Sequence, residues 1–345
     1  MKSNGVPQDI KSLPTLIQIK AAIPTYLFET NLLFSLYYVV KDIALIIGLC
    51  ASLMVLEWIL PASCMCIVLP IYWYLQGTML MAVFVLGHDC GHGSFSKYET
   101  INDVFGTVLH SVVLTPYYPW KISHRNHHKH TGNIDKDEVF YPVRKEHENG
   151  NNFAYLFGLG FGWFVYLWRG YHPRNVCHLN PLEPMFSNHV TGCTLSIASL
   201  ICWVGCLYIY ACSFGLWELL KYYFIPEMVF ASWLLIVTFL HHIEEKTPWY
   251  SDDNWNYVKG ALSSVDRNYG WAHDVIHNIG THQIHHLFSR IPHYNLEDAT
   301  RHFRKNFPEL SRVKNDKIFP TLVRMYKKFS SQFRIGNETK VHVYT

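Results

Sequence analysis

Half of this 345-residue chain is hydrophobic and only 16% is charged, whereas about a quarter of a soluble domain carries charge. That balance, with aromatic residues at 16%, excludes an ordinary soluble globule and points to a membrane protein. The net charge of +3 provides no field for nucleic acid, and the odd count of nine cysteines argues against a disulfide framework.

The opening MKSNGVPQDIKSLPTLIQIKAAIP has no apolar core before Pro24, so it reads as a polar N-terminal segment of about 1–40 rather than a signal peptide. Residues 43–60 form the first predicted span and 65–87 the second, close enough across Pro61 to make a helical hairpin. Cys64 and Cys66 near the turn, and Cys202, Cys206 and Cys212 further on, read as small buried hydrophobes. Two shorter apolar stretches, 104–118 and 153–168, are expected to lie at the membrane surface or to re-enter it. Residues 192–216 and 226–243 complete a second hairpin. No linker or repeat divides the chain, so 1–345 is read as one domain with its core at about 41–320. The turns at 61–64 and 217–225 carry a single basic residue, Lys221, whereas Lys97, Lys121, Arg125, Lys129, Arg144, Lys145, Arg169 and Arg174 fall on the other side. The positive-inside bias makes that side, with both termini, cytosolic. The expected fold is thus an all-α integral membrane protein of four spanning helices in two hairpins, with a histidine-rich cap.

Three histidine clusters fall on that one face. HDCGHGSF follows the second span, and His88 and His92 are four apart, on one side of a helix. HRNHHKH at 124–130 has the spacing HxxHH in His124, His127 and His128; the last two diverge by about 100°, so one of them can reach a second ion. HQIHH repeats the spacing in His282, His285 and His286. Crowded imidazoles repel if protonated but bind metals when neutral. Eight are too many for one ion and fit two, and His242 at the end of the fourth span is a ninth candidate, with His241 its rival. Imidazole alone does not choose the metal. Around them, Asp89, His110, His130, Asp266 and Arg267 are candidates to orient ligands or face substrate, and Asp266 and Arg267 are expected to pair. Trp120 and Lys121 in TPYYPWK are expected at the membrane interface. His147, His172, His178 and His342 read as surface residues.

HDCGHGSF, SHRNHHKHTG and GTHQIHHLF with IPHYNLEDAT resemble the membrane fatty acid desaturases, and more closely the methyl-end group that adds ω6 and ω3 double bonds. The likeness runs from PTLIQIKAAIP to about residue 320 and includes TPYYPWKISHRNHH and LSSVDRNYG. It implies two iron ions held by His88, His92, His124, His127, His128, His282, His285 and His286, with a further histidine from the last spanning helix, best matched by His242. It implies a dioxygen-dependent insertion of a cis double bond into an acyl lipid or acyl-CoA in an apolar tunnel. IGTH before the third box is similar to ω3 members, whereas ω6 members carry an acidic turn such as ITDTH. No HPGG heme motif is present, so cytochrome b5 and its NADH-dependent reductase are expected as separate donors, in the endoplasmic reticulum membrane. Hydroxylation or triple-bond formation at the same site is the near rival. A metal transporter would place its histidines within the spans, and a zinc protease would need HExxH.

Overall fold

The computed structural model describes residues 13–147, 158 and 160–345. In chain order its helices are α1 (Leu16–Ala21), α2 (Leu32–Ile59), α3 (Met65–His92), α4 (Glu99–Val112), α5 (Tyr117–His130), α6 (Gly160–Arg169), α7 (Val190–Phe214), α8 (Leu216–Leu219), α9 (Ile225–His242), α10 (Tyr257–Ala261), α11 (Ala272–Val275), α12 (His282–Leu287), α13 (His293–Asn306) and α14 (Ile318–Gln332). Among the described residues, six strands of two or three residues make three two-stranded ladders, of which β2 (Pro248–Tyr250) with β6 (Val341–Val343) ties the C-terminal tail to the chain after α9.

Among the described residues, four helical stretches are long and apolar enough to cross a bilayer: Leu32–Ile59, Ala62–His92, Pro184–Phe214 and Leu216–His242. They form the two expected hairpins. The first span starts earlier than 43, because Asn31 caps α2 by accepting from the backbone N–H groups of Leu33 and Phe34. Lys41 and Asp42, which broke the apolar run in sequence, lie inside that helix, where buried Asp42 meets His277 Nε2 at 2.6 Å. The N-terminal polar segment is correspondingly shorter than 40 residues. Of the stretch 153–168, residues 153–157 and 159 fall outside the described residues; 160–168 belong to α6, which packs along α9.

The four spans are not equivalent. The most apolar window of α2 is 17% buried by protein and that of the third span 11%, against 56% for the second and fourth. The outer pair therefore offers its sides to lipid, and α3 and α9 form the inner pair. Gly77 lets them touch: a Cβ there would lie 2.6 Å from the Pro226 carbonyl oxygen. Cys202, Cys206 and Cys212 correct one expectation, since they are exposed on α7 rather than buried, along the side left to the bilayer. α3 stops where it does because Gly93 takes a left-handed φ of 72° and turns its N–H back to Cys90. The ends of α3 and α9 that carry His88, His92 and His242 thus finish on one face, beneath a cap made by α5, α12 and α13. The first described residues and the tail lie on that same face: the Asn31 N–H donates to the Tyr294 hydroxyl, and Lys246 N–H to the Tyr344 carbonyl.

Candidate metal centre

Five imidazoles meet at the end of α3. One nitrogen each of His88, His92, His124, His128 and His285 lies within 4.8 Å of all the others. A second group gathers His127, His242 and His286 under the same limit. His282 joins the second group: its Nε2 stands 3.1 Å from His242 Nε2 and 2.9 Å from His286 Nε2. His127 Nε2 lies 3.2 Å from His242 Nε2. Around an ion with bonds of about 2.1 Å, adjacent ligand nitrogens stand about 3.0–3.4 Å apart, so the spacing suits a shared cation.

The electrostatics agree. Burial, reinforced by neighbouring imidazoles, holds His124, His128, His282, His285 and His286 well below the usual histidine range, so these rings are neutral ligands. Nε2 of His92 and of His285 are buried with no hydrogen-bond partner, the condition of a nitrogen whose lone pair waits for a metal. The residues present therefore fit two ions held by nitrogen alone.

Each helix contributes by its period. On α5, His124 and His128 are one turn apart and enter the first group, while His127, rotated away from His128, enters the second. α12 splits the same way, His285 to the first and His282 and His286 to the second. His241 is excluded: its Nδ1 is hydrogen-bonded to the Val265 carbonyl and its Nε2 lies 3.0 Å from the Tyr269 hydroxyl.

Residues chosen for supporting roles divide differently from expectation. Asp89 does not chiefly serve His88, whose Nδ1 is 3.7 Å away, beyond a hydrogen bond. It pairs with His293, accepting from its backbone N–H at 3.1 Å and lying 2.9 Å from its Nδ1. Asp266 and Arg267 do not pair, because neighbouring residues of an extended segment point to opposite sides. Asp266 accepts from the Gln283 N–H at 2.8 Å and from Arg304 at 2.7 Å, which sets α12 in place. Arg267 instead donates to the Leu240 carbonyl at 3.0 Å and to Glu244. His110 stacks on Phe84 and bonds its carbonyl oxygen, and it reaches the centre only through Trp120. His130 turns to the Asn126 carbonyl. Lys121 is buried, not at the interface: its ammonium is 2.5 Å from Asp103, a carboxylate that α4 supplies. Trp120 is also buried and stacks on His124 with ring centroids 4.4 Å apart. His178 and His342 are not surface residues. His178 is fully buried with Nε2 2.8 Å from Ser123 Oγ, and burial pushes both rings down to about 4.

Three orienting groups escaped the sequence reading. Asp137 Oδ1 lies 2.5 Å from His127 Nδ1, Thr131 Oγ1 lies 2.9 Å from His286 Nδ1, and His293 anchors Asp89. Asp137 is ten positions from its histidine, so no helical spacing announces it. Such partners fix the ring and its tautomer. Asp137→Asn is expected to weaken metal retention by about 10–100-fold, read by competition with a chelator; unchanged retention would mean the carboxylate does not orient His127.

One apolar chamber opens against both groups. It is narrow, with a cavity volume of about 90 Å³. His88, His124, His127, His242 and His282 form one end. Phe84, Trp120, Phe140, Trp163, Tyr166 and Tyr171 give it aromatic walls, and Met81 and Leu234 lie farthest along α3 and α9. Seven or eight helical residues at about 1.5 Å each make that depth about 10–12 Å.

Residues 65–316 match the fatty acid desaturase family. A "sn-1 acyl-lipid omega-3 desaturase (ferredoxin)" of a Nostoc species is 41% identical over 91% of this chain and 88% of its own. The protein of the same name from Synechocystis is 40% identical over 90% of this chain and 86% of its own. A "temperature-sensitive sn-2 acyl-lipid omega-3 desaturase (ferredoxin), chloroplastic" of Arabidopsis thaliana is 40% identical over 83% of this chain and 66% of its own. These names overturn two expectations, the cytochrome b5 donor with its NADH-dependent reductase and the endoplasmic reticulum membrane. The physical reason is that spans and metal ligands carried the resemblance, and neither records which carrier delivers electrons or which membrane surrounds the spans.

Proposed function

This chain belongs to the fatty acid desaturase family, and on that premise we propose that it inserts a cis double bond at the ω3 position of an unsaturated acyl chain carried on a lipid. Family and histidine clusters together make it a membrane diiron oxidoreductase of the ω3/ω6 type. The finer choice of ω3 draws support from the names of the relatives and from IGTH before the third box. The same names support a ferredoxin as the electron donor and an acyl lipid as the substrate.

The chamber that ends on both histidine groups carries the reading. When bound, the two irons would supply the dioxygen-activating chemistry that removal of hydrogen from an unactivated methylene requires. The protein's share is position. Apolar walls hold the chain and exclude water, so the reactive centre is shielded from side reactions. Trp120, fixed face to face with His124, sets the wall beside the first group. Thr131 and Asp137 keep His286 and His127 aimed inward. An offset of about 1 Å between methylene and centre can cost about a hundredfold in rate, which is why rigid walls decide the product.

Expression in a host that makes only monounsaturated acids, with a ferredoxin and its reductase, tests this. Supplied linoleate is expected to gain an ω3 bond, located by mass spectrometry. Conversion of endogenous oleate to linoleate without any ω3 product would overturn the regiochemistry.

A further inference from the structure

The first histidine group stands between two unlike spaces. On α5, Trp120, His124 and His127 line the apolar chamber, whereas Lys121, Arg125 and His128, each one position on, line a second cleft. One residue is about 100° of rotation, so the helix works as a partition. α3 does the same: Phe84, Val85 and His88 face the chamber, and Cys90, His92 and Gly93 the cleft. The cleft is polar and open to the surface, with a volume of about 610 Å³.

Its charge is one-sided. Lys97, Arg125 and Arg290 line it and are exposed. Lys121 is neutralised by Asp103, and the one carboxylate among the lining residues, Glu99, lies 3.8 Å from Lys121. The cations are therefore in excess beside the edges of His92 and His128.

We propose that this cleft docks the acidic face of a one-electron carrier protein, so that electrons enter through the His92 and His128 side while the acyl chain occupies the opposite side. The inference rests on the desaturase reading above. Forming one alkene and reducing dioxygen to two waters takes two hydrogens from the chain, two protons from solvent and two electrons. The carrier is oxidised in two visits and supplies those electrons. A cationic rim raises the encounter rate with an anionic partner and sets its orientation. An anionic lipid headgroup fits the site less well, since its acyl chain would have to pass the histidine layer to reach the chamber.

The test uses the whole protein in nanodiscs with a reduced plant-type [2Fe–2S] ferredoxin as probe. Turnover is measured with that ferredoxin and, separately, with dithionite and a small neutral mediator that needs no dock. Lys97→Glu with Arg290→Glu is expected to lower the ratio of ferredoxin-driven to mediator-driven turnover at least tenfold and to flatten its dependence on salt. Lys340→Glu, an exposed cation paired with Asp253 elsewhere on the surface, is the charge control and should leave the ratio as it was. An unchanged ratio in the double variant overturns the dock. So does a rise in KM for the acyl lipid at constant ferredoxin KM, which would make the cleft a headgroup site. Absence of desaturation by the parent protein with either reductant would instead refute the desaturase reading.

Discussion

His285→Ala is expected to abolish desaturation and to remove one of the two irons. His285 comes from the third box yet enters the group dominated by the first two, and its Nε2 is buried without a protein partner. Truncation leaves four imidazoles around that ion and opens a void between His88, His92 and His128, whose rings all pack on His285 within 4.9 Å. Neighbouring packing cannot replace a ligand nitrogen, so activity should fall by several orders of magnitude, as for a reaction whose oxidant is lost. Iron per chain and product yield check it together. His147→Ala, on an exposed ring, should change neither. Full iron with full activity in His285→Ala would remove His285 from the ligand set.

Arg267→Met is expected to be the most destabilising single change outside the histidines. Both Arg267 and Glu244 are fully buried side chains, and the guanidinium also caps the carbonyl of Leu240, two residues before His242. Removing one partner of a buried ion pair costs about 3–5 kcal/mol, because the other charge stays behind. Lys314 at 3.8 Å and Arg324 at 3.9 Å soften that loss only in part, since both are much more exposed than the guanidinium. The end of α9 should loosen, the thermal midpoint in detergent should drop, and the iron near His242 should be lost on heating before the other. Arg267→Met with Glu244→Gln should recover part of the loss, because no lone buried charge remains. If the single variant matches the parent in thermal midpoint, the pair is not what holds this end of α9.

The differences between sequence and structure follow one rule. What depends on spacing within a few residues was legible: the apolar lengths of the spans, the one-turn steps from His88 to His92 and from His124 to His128, and the divergence of His127 from His128. Covalent geometry and helical period fix these without the rest of the chain. What depends on distant partners was not. Lys121 looked like an interfacial cation until α4 brought Asp103 against it. Asp89 looked like a partner of His88 until α13 brought His293 to it.

The sequence by itself thus determined that four apolar helices would carry three histidine clusters to one face, because hydrophobic length and helical period are local properties. Only the tertiary structure decided how nine imidazoles divide into two groups, and why His242 enters one while adjacent His241 bonds to Val265 and Tyr269. It also decided which side of that layer is dry and which is charged. These outcomes depend on how closely α3 and α9 approach at Gly77 and on where the cap sets α5 and α12 above them. Such contacts join residues far apart in the chain, and no spacing along it records them.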